Sequence, residues 1–458
     1  MMVYLNFAYL LSALGFIFGL KFMGKAGNAN KGNIISAISM FLAITATVFL
    51  CLYQSNRIPN FILLLSILSV GTLIGRYLSY KYDMRRIPEL ISLFNAFGGL
   101  CALLIGLNEV YHFPNESFSL SSKIILIGGI TLGGASFTGS IVAFYKLGGK
   151  LKKRLKTKWI LYFSLFLFAE FIGLHLYDPE FSSFALLCLR LGALSLFIGF
   201  FIAMPIGGAD MPVLISVLNA VTGIATAFSG IIFESTIMLL GGILVGFTGI
   251  FLSLQMSKAM NRSLKAIFSS SKSTIKAAEG EQNVQSISHG ETASLLSFSK
   301  KVAIVPGFGM AVAQAQKECF ELQKLLASKE IELDYIIHPV AGRMPGHMNV
   351  LLAEAQVDYE DIYEMDAVNE QMNEYDLVLV IGANDVVNPA AESDPESIIY
   401  GMPIIKAHEA KQVIVLKRSM ASGYSGALNL LFEKPNCKIL FGDAKQSLQA
   451  TLAELKQI

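Results

Sequence analysis

Apolar residues run through the first 260 positions in blocks of about twenty, broken by short polar or glycine-containing links such as KAGNANKGN, QSNRIPN and KYDMRRIP. A bilayer core about 30 Å thick takes about 20 residues of helix. The pattern therefore predicts nine membrane spans, at about 3–22, 34–53, 59–78, 88–108, 124–145, 159–177, 184–205, 211–233 and 236–257. After residue 300 the period changes. Short β-branched runs (VAIV, LDYII, LVLVIG, VIVLK, KILFG) alternate with helical stretches at 311–328, 347–356 and 443–455. That rhythm predicts a Rossmann-like α/β domain, a parallel sheet covered by helices on both faces.

Residues 262–299 fit neither pattern. They are serine-rich, polar and nearly free of aromatics, as expected of a linker. The organisation read from the chain is a membrane domain over 1–261, a linker over 262–299 and a water-exposed domain over 300–458.

Only 15% of the 458 residues are charged, against about 25% in soluble proteins. The charges are sparse before residue 260 and ordinary after 300. Lys and Arg cluster in alternate links: three after span one, four after span three, seven after span five and three after span nine. The opposite links hold only Arg57 and Lys123, together with Glu109, Glu116, Asp178 and Glu180. Basic links stay cytoplasmic. With nine spans, the amino terminus is expected outside and the C-terminal domain in the cytoplasm. The first span lacks a basic leader and a small-residue cleavage site, and reads as a retained span. The net charge of +2 and the absence of a basic, aromatic-interleaved patch give no sign of nucleic-acid binding. The five cysteines are scattered, and no Cys/His spacing suggests a metal.

Polar residues inside spans are costly and often functional. Asn95 and Asn219 lie in similar settings, SLFNAFGG and SVLNAVTG, as inter-helix glue or as parts of one polar path. Glu170 and His175 stand late in span six, nearer the outer side, and Arg190 stands in span seven; snorkelling or local pairing explains all three. Asp210 precedes Pro212 at the head of span eight, as a helix cap or as a coupling group next to the cytoplasmic domain.

In a parallel α/β sheet, ligands lie at the carboxyl ends of the strands. The first such end reads PGFGMAVAQAQ. Gly307 and Gly309 suit a tight turn beside a pyrophosphate, while Val312 replaces the third glycine of GxGxxG. The second end, HPVAGRMPGH, lacks the acid that commonly holds a ribose 2′-hydroxyl and offers His338, Arg343 and His347 instead. Loss of that acid favours a 2′-phosphate, which Arg343 could hold with two parallel hydrogen bonds. The third end carries Gly382, Asn384, Asp385 and Asn388. Asp385 reads equally as a helix cap. At the fourth, Lys417, Arg418 and Ser419 suit a 2′-phosphate. Tyr424, between glycines, suits a cover over the cofactor.

The runs GFGMAVAQAQ, HPVAGRMPGHMNVLLAEA, LVLVIGAND, NPAA, VIVLKRSM and FGDAK, with SFTGSIVAF, IGGADMP and SKAMNRS in the membrane part, resemble the β subunits of proton-translocating NAD(P) transhydrogenases. The resemblance covers nearly the whole chain and is densest over 300–445. It implies hydride transfer between NADH and NADP+ coupled to inward proton flow across the bacterial inner membrane. It also implies an α partner carrying NAD(H), NADP(H) on this chain, and a dimer of αβ units. It places Gly307, Gly309, Ala311 and Val312 at the pyrophosphate, and Lys417, Arg418 and Ser419 at the 2′-phosphate. His338, Arg343, Asn384 and Asp385 fall near the nicotinamide end and the coupling loop, and Tyr424 at the lid. Asp210 and Asn219 match positions implicated in proton coupling. Some members have a histidine where this chain has Asn95. A competing reading is a channel or transporter gated by a nucleotide-binding domain, although such domains commonly read NAD through the strand-two acid that this chain lacks.

Overall fold

A computed structural model describes residues 2–23, 28–54, 58–82, 86–112, 118–151, 158–177, 183–207, 210–260, 263–268, 284–342, 346–397, 399–421, 423 and 425–458. They form two compact units, Met1–Gly207 with Leu214–Ser253, and Gly208–Val213 with Leu254–Ile458.

The first unit is helical. Among the described residues, nine helices are long and apolar enough to cross a membrane. They are α1 (Met2–Met23), α2 (Ala29–Gln54), α3 (Ile58–Lys81), α4 (Ile87–His112), α5 (Leu120–Leu147), α6 (Lys158–Tyr177), α7 (Phe184–Ala203), α8 (Met211–Ile232) and α9 (Thr236–Ala259). Each of the nine expected spans is found. Helix is forced here because lipid offers no partner for a backbone N–H or C=O. Large apolar side chains such as Phe41, Leu73, Phe166 and Phe247 are exposed, as lipid contact requires. Inward faces are lined by small residues. A Cβ on Gly99 of α4 would stand 2.8 Å from the Gly133 carbonyl of α5, and the converse holds at the same distance. With no hydrophobic force between helices in lipid, such backbone proximity supplies the packing.

The second unit holds a six-stranded parallel sheet: β1 (Lys301–Pro306), β2 (Glu332–Ile337), β3 (Ile362–Glu364), β4 (Leu377–Ile381), β5 (Gln412–Lys417) and β6 (Cys437–Phe441). The strand order is β3-β2-β1-β4-β5-β6, with all neighbours parallel. The order reverses between β1 and β4. Crossovers there leave towards opposite faces and open a crevice at the carboxyl edge. The helices are α10 (Leu264–Phe268), α11 (His289–Phe298), α12 (Phe308–Ala313), α13 (Gln316–Ala327), α14 (His347–Glu354), α15 (Met365–Val368), α16 (Ala390–Ser393) and α17 (Ala444–Leu455).

Alternation along the strands builds two cores. Val302, Ile304, Leu377, Leu379, Ile414 and Leu416 pack on one face with Leu322 of α13 and Leu448 of α17. Ala303, Val305, Val378, Val380, Val413 and Val415 pack on the other with Met372 and Phe432. Every residue of β4 is buried, so its pattern is a continuous apolar run. Truncating a fully buried leucine of this kind costs about 2–5 kcal/mol.

Three features differ from the sequence reading. β3 is an added edge strand, only three residues long and mostly exposed, too short to leave a pattern. The helix expected at 311–328 starts at Phe308 and breaks at Gln314, whose φ is 55°. Part of the expected linker is folded: Ile287 donates to the Ile439 carbonyl at 3.0 Å, and Ile439 donates to Gln285 at 2.8 Å. Beyond it, Ala293 and Leu296 of α11 are fully buried. These few apolar positions, dispersed among serines, suffice because β6 and α17 receive them. Residues 269–283 lie outside the described set.

Candidate functional site

The loops after β1, β4 and β5 meet at the carboxyl edge of the sheet. Gly307 donates its N–H to the Ile381 carbonyl, and Gly309 to that of Gly382, each at 2.9 Å. A Cβ on Gly309 would lie 2.6 Å from Gly382 Cα, and one on Gly307 would collide with Gly382 and Ala383 backbone. Gly382 has φ of 66°, the left-handed region that favours glycine. All three glycines are thus required by backbone meeting backbone. The result is a cradle with no side chain in its floor. Ala311 is buried, whereas Val312 is exposed, so the position of the absent third glycine faces outwards and its side chain obstructs nothing.

Asn384 and Asp385 follow β4 and are half-buried. The Asp385 carboxylate accepts from the Ser425 N–H at 2.9 Å and the Ser425 hydroxyl at 2.8 Å. Asn384 accepts from Asn429 Nδ2 through its backbone oxygen at 3.0 Å and its Oδ1 at 2.8 Å. The sequence reading did not single out Ser425 or Asn429. Only their adjacency to the glycine-rich GYSG stretch hinted at a role.

Lys417 ends β5. Its ammonium rests 4.1 Å from the centroid of the Phe432 ring and donates to the Ala421 carbonyl at 3.3 Å. Burial pulls its pKa down to about 8, and the Asp385 charge only partly opposes this. Arg418 and Ser419 are exposed beside it. A desolvated cation next to two exposed polar residues is chemically suited to a phosphate.

His338, after β2, is buried. Its Nε2 donates to the Pro403 carbonyl at 2.8 Å, and its Nδ1 accepts from the Val340 N–H at 3.2 Å. Those bonds are those of a neutral ring, and burial lowers the pKa accordingly. The imidazole braces the loop with both nitrogens. Arg343 and Tyr424 lie outside the described residues. His347 begins α14, buried, with its ring 6.4 Å from that of Phe308.

In the helical unit, Asn95 is buried in α4 and donates to Ser140 Oγ at 2.8 Å and Ser136 Oγ at 3.4 Å, both on α5. Ser136 donates to the Leu218 carbonyl of α8 at 3.0 Å, and its hydroxyl meets that of Thr222. Ser92 joins the line through the Ser140 carbonyl at 2.8 Å. A row of hydroxyls thus connects three helices. Asn219 is half-buried on α8, next to Leu218, and makes no side-chain hydrogen bond to a described residue. Asp210 is half-buried at the head of α8.

Glu89, Ser92 and Asn95 are all buried on α4, at i, i+3 and i+6. Glu89 accepts from Arg86 Nη2 at 2.9 Å and Nε at 3.0 Å. The sequence reading passed over Glu89, because a carboxylate in the first turn of a span looks like a surface charge. The spacing to Asn95 was its only signal. Of Glu170, His175 and Arg190, Arg190 lies 5.7 Å from the Phe171 centroid, and Glu170 is exposed. Among the described residues, no cluster of His, Cys, Asp and Glu could hold a metal.

A family model described as NAD(P) transhydrogenase beta subunit matches residues 5–454. The chain is 37% identical over 456 residues to a protein of Rhodospirillum rubrum named NAD(P) transhydrogenase subunit beta, covering 96% of each. The same identity and coverage are found with the protein of that name from a further Rhodospirillum rubrum strain.

Proposed function

Because this chain belongs to the family of NAD(P) transhydrogenase beta subunits, we propose that it holds NADP(H) at the carboxyl edge of its sheet and exchanges hydride with NADH on an α partner. Proton passage inwards through its helices drives NADP+ reduction. Residues 1–261 then translocate protons, 262–299 link, and 300–458 carry the cofactor on the cytoplasmic side, with the amino terminus in the periplasm. The working enzyme is a dimer of αβ units in the bacterial inner membrane.

The observation that carries this reading is the direct contact between the loops bearing Gly309, Asn384 with Asp385, and Lys417. A floor without side chains fits a pyrophosphate. A partly desolvated ammonium flanked by Arg418 and Ser419 fits a 2′-phosphate. The nicotinamide supplies the hydride chemistry when bound; this chain holds and orients it. Backbone from Gly307 to Val312 lines the pyrophosphate, and Lys417, Arg418 and Ser419 take the 2′-phosphate. Asn384 and Asp385 set the nicotinamide end. His338 keeps the neighbouring loop in place as a neutral brace. Arg343 and Tyr424 complete the phosphate contacts and the cover. No protein nucleophile takes part.

The line Ser140–Asn95–Ser136–Thr222 contains only neutral groups, so the proton moves along hydroxyls and water. Asn219 hydrates the line and Asp210 couples it to the nucleotide domain. A proton descending 100 mV releases about 2.3 kcal/mol, enough to shift the hydride equilibrium more than about tenfold. The test is reconstitution with the α partner into vesicles, following NADH-driven reduction of an NADP analogue together with proton flux. Transfer that ignores an imposed proton gradient, or no transfer at all, overturns the reading.

A further inference from the structure

Two loops that approach the same cleft are fastened to each other by side chains buried for no catalytic reason. Asn388 is fully buried and Asn429 is 2% exposed. Asn388 donates to the Leu428 carbonyl at 2.9 Å and accepts from the Ala390 and Leu430 N–H groups at 3.0 and 3.2 Å. Asn429 donates to both oxygens of Asn384 and accepts from the Leu431 N–H at 2.9 Å. Nearer the cleft, Ser425 gives two hydrogen bonds to Asp385 and accepts one from Ala427 at 3.1 Å. Gly423 packs so closely that a Cβ there would meet Asn384 Nδ2 at 2.8 Å.

Burying an amide costs free energy unless its bonds are made. Apolar residues would hold the loops together equally well but would let them slide. Directed hydrogen bonds to named backbone atoms fix the offset of one loop against the other. The loop after β5 starts at Lys417, and the loop after β4 contains Asn384 and Asp385. The offset between the loops therefore sets the distance between the two ends of the cleft.

We propose that Asn429 and Ser425 are positioning residues that hold these two loops in register, so that a dinucleotide with a 2′-phosphate is gripped at both ends at once. This rests on the reading of the cleft as an NADP(H) site. Two anchors joined by a rigid spacer bind far more tightly than the same anchors joined loosely, because the second contact becomes intramolecular. NAD lacks the 2′-phosphate and engages one end only. Loosening the tether thus weakens NADP(H) and leaves NAD untouched. Asn429 and Asn388 are the deep, fixed end of the tether. Ser425 is the half-exposed end that governs release.

The experiment uses the full-length chain purified without its α partner, so that nucleotide binding reports this chain's own cleft, and compares Ser425→Ala, Ser425→Thr and Asn429→Ala with the parent. It measures NADP+ and NAD+ binding, the NADPH release rate and thermal unfolding. Ser425→Ala is expected to weaken NADP+ binding and speed NADPH release by about tenfold, the scale of one hydrogen bond to a charged group. NAD+ binding and unfolding temperature stay unchanged. Ser425→Thr keeps the hydroxyl and restores NADP+ binding to within about twofold. Asn429→Ala has the larger effect on NADP+; if it does not fold, the Ser425 pair decides. Unchanged NADP+ binding in Ser425→Ala overturns the tether, as does equal weakening of both nucleotides with a lowered unfolding temperature. A parent protein with no preference for NADP+ over NAD+ instead overturns the NADP(H) reading.

Discussion

The Lys417 ammonium sits over the Phe432 ring at 4.1 Å, on a side chain that is itself buried in the sheet's second core. A cation on an aromatic face is partly compensated, yet burial still draws its pKa down to about 8. In the free protein the amine therefore loses its proton as pH rises through about 8. A bound 2′-phosphate favours the ammonium and raises that pKa, so binding above pH 8 takes up a proton. NADP+ affinity is expected to fall by up to about tenfold per pH unit above 8, until the bound-state pKa is reached. Titration calorimetry in buffers of different ionisation enthalpy checks the uptake. Lys417→Met is expected to weaken binding at pH 7 and abolish this alkaline limb.

Gly382 and Val312 make opposite predictions. Gly382→Ala places a Cβ at positive φ against Gly309. It is expected to cost at least about 2 kcal/mol and to lower both unfolding temperature and NADP+ affinity. Val312→Gly completes the GxGxxG motif on paper. Because Val312 faces outwards, it is expected to gain no affinity and to lose up to about 1 kcal/mol of helix stability. Binding assays on the two variants separate motif from geometry.

Ser136 is the branch point of the intramembrane line, touching Asn95, Leu218 and Thr222. Ser136→Ala removes the central hydroxyl with little change in volume. NADP+ binding is expected to stay within about twofold, since the NADP(H) contacts are assigned to other residues. Acceleration of hydride transfer by an imposed proton gradient is expected to fall by about tenfold or more, on the scale of one lost proton-transfer contact. Vesicle assays with and without an ionophore give the comparison.

Asp376 lies at the opposite edge of the sheet. Its carboxylate accepts from Lys411 Nζ at 2.8 Å, from the Lys300 N–H at 2.7 Å and from the Lys301 N–H at 3.1 Å. The Lys411 hydrogen bond chiefly, with the two backbone N–H groups, holds its pKa down at about 2. A depressed carboxylate contributes stability that is present above its unfolded value near 4 and is lost as pH falls towards 2. Discounted for partial exposure, that contribution is about 1 kcal/mol. Asp376→Asn is expected to lower the unfolding temperature of the nucleotide domain at pH 7 but not at pH 2.

Much of the architecture was legible because its signals are periodic. Twenty-residue apolar blocks and short β-branched runs each answer to a single local rule, so the spans and five of the six strands follow from counting. β3 escaped because three exposed residues have no period. Lys417 with Arg418 and Ser419 could be placed at a strand end from VIVLK alone. Gly307 and Gly309 could be placed in a tight turn, but the turn was assigned to the ligand, whereas much of its glycine requirement comes from Gly382. The sequence could place His338 at a strand end near the nicotinamide, but its bonds to Pro403 and Val340 depend on residues that no local pattern names.

The sequence by itself determined which segments enter lipid, which form the sheet and which strand ends carry unusual chemistry, because hydropathy, period and turn residues act within a few positions of the chain. The tertiary structure decided which of those ends touch. Asn384 finds Asn429 across 45 residues, Asp385 finds Ser425 across 40, and Asn95 finds Ser140 across 45. A hydrogen bond between distant residues depends on strand order and helix packing, and no local pattern encodes it.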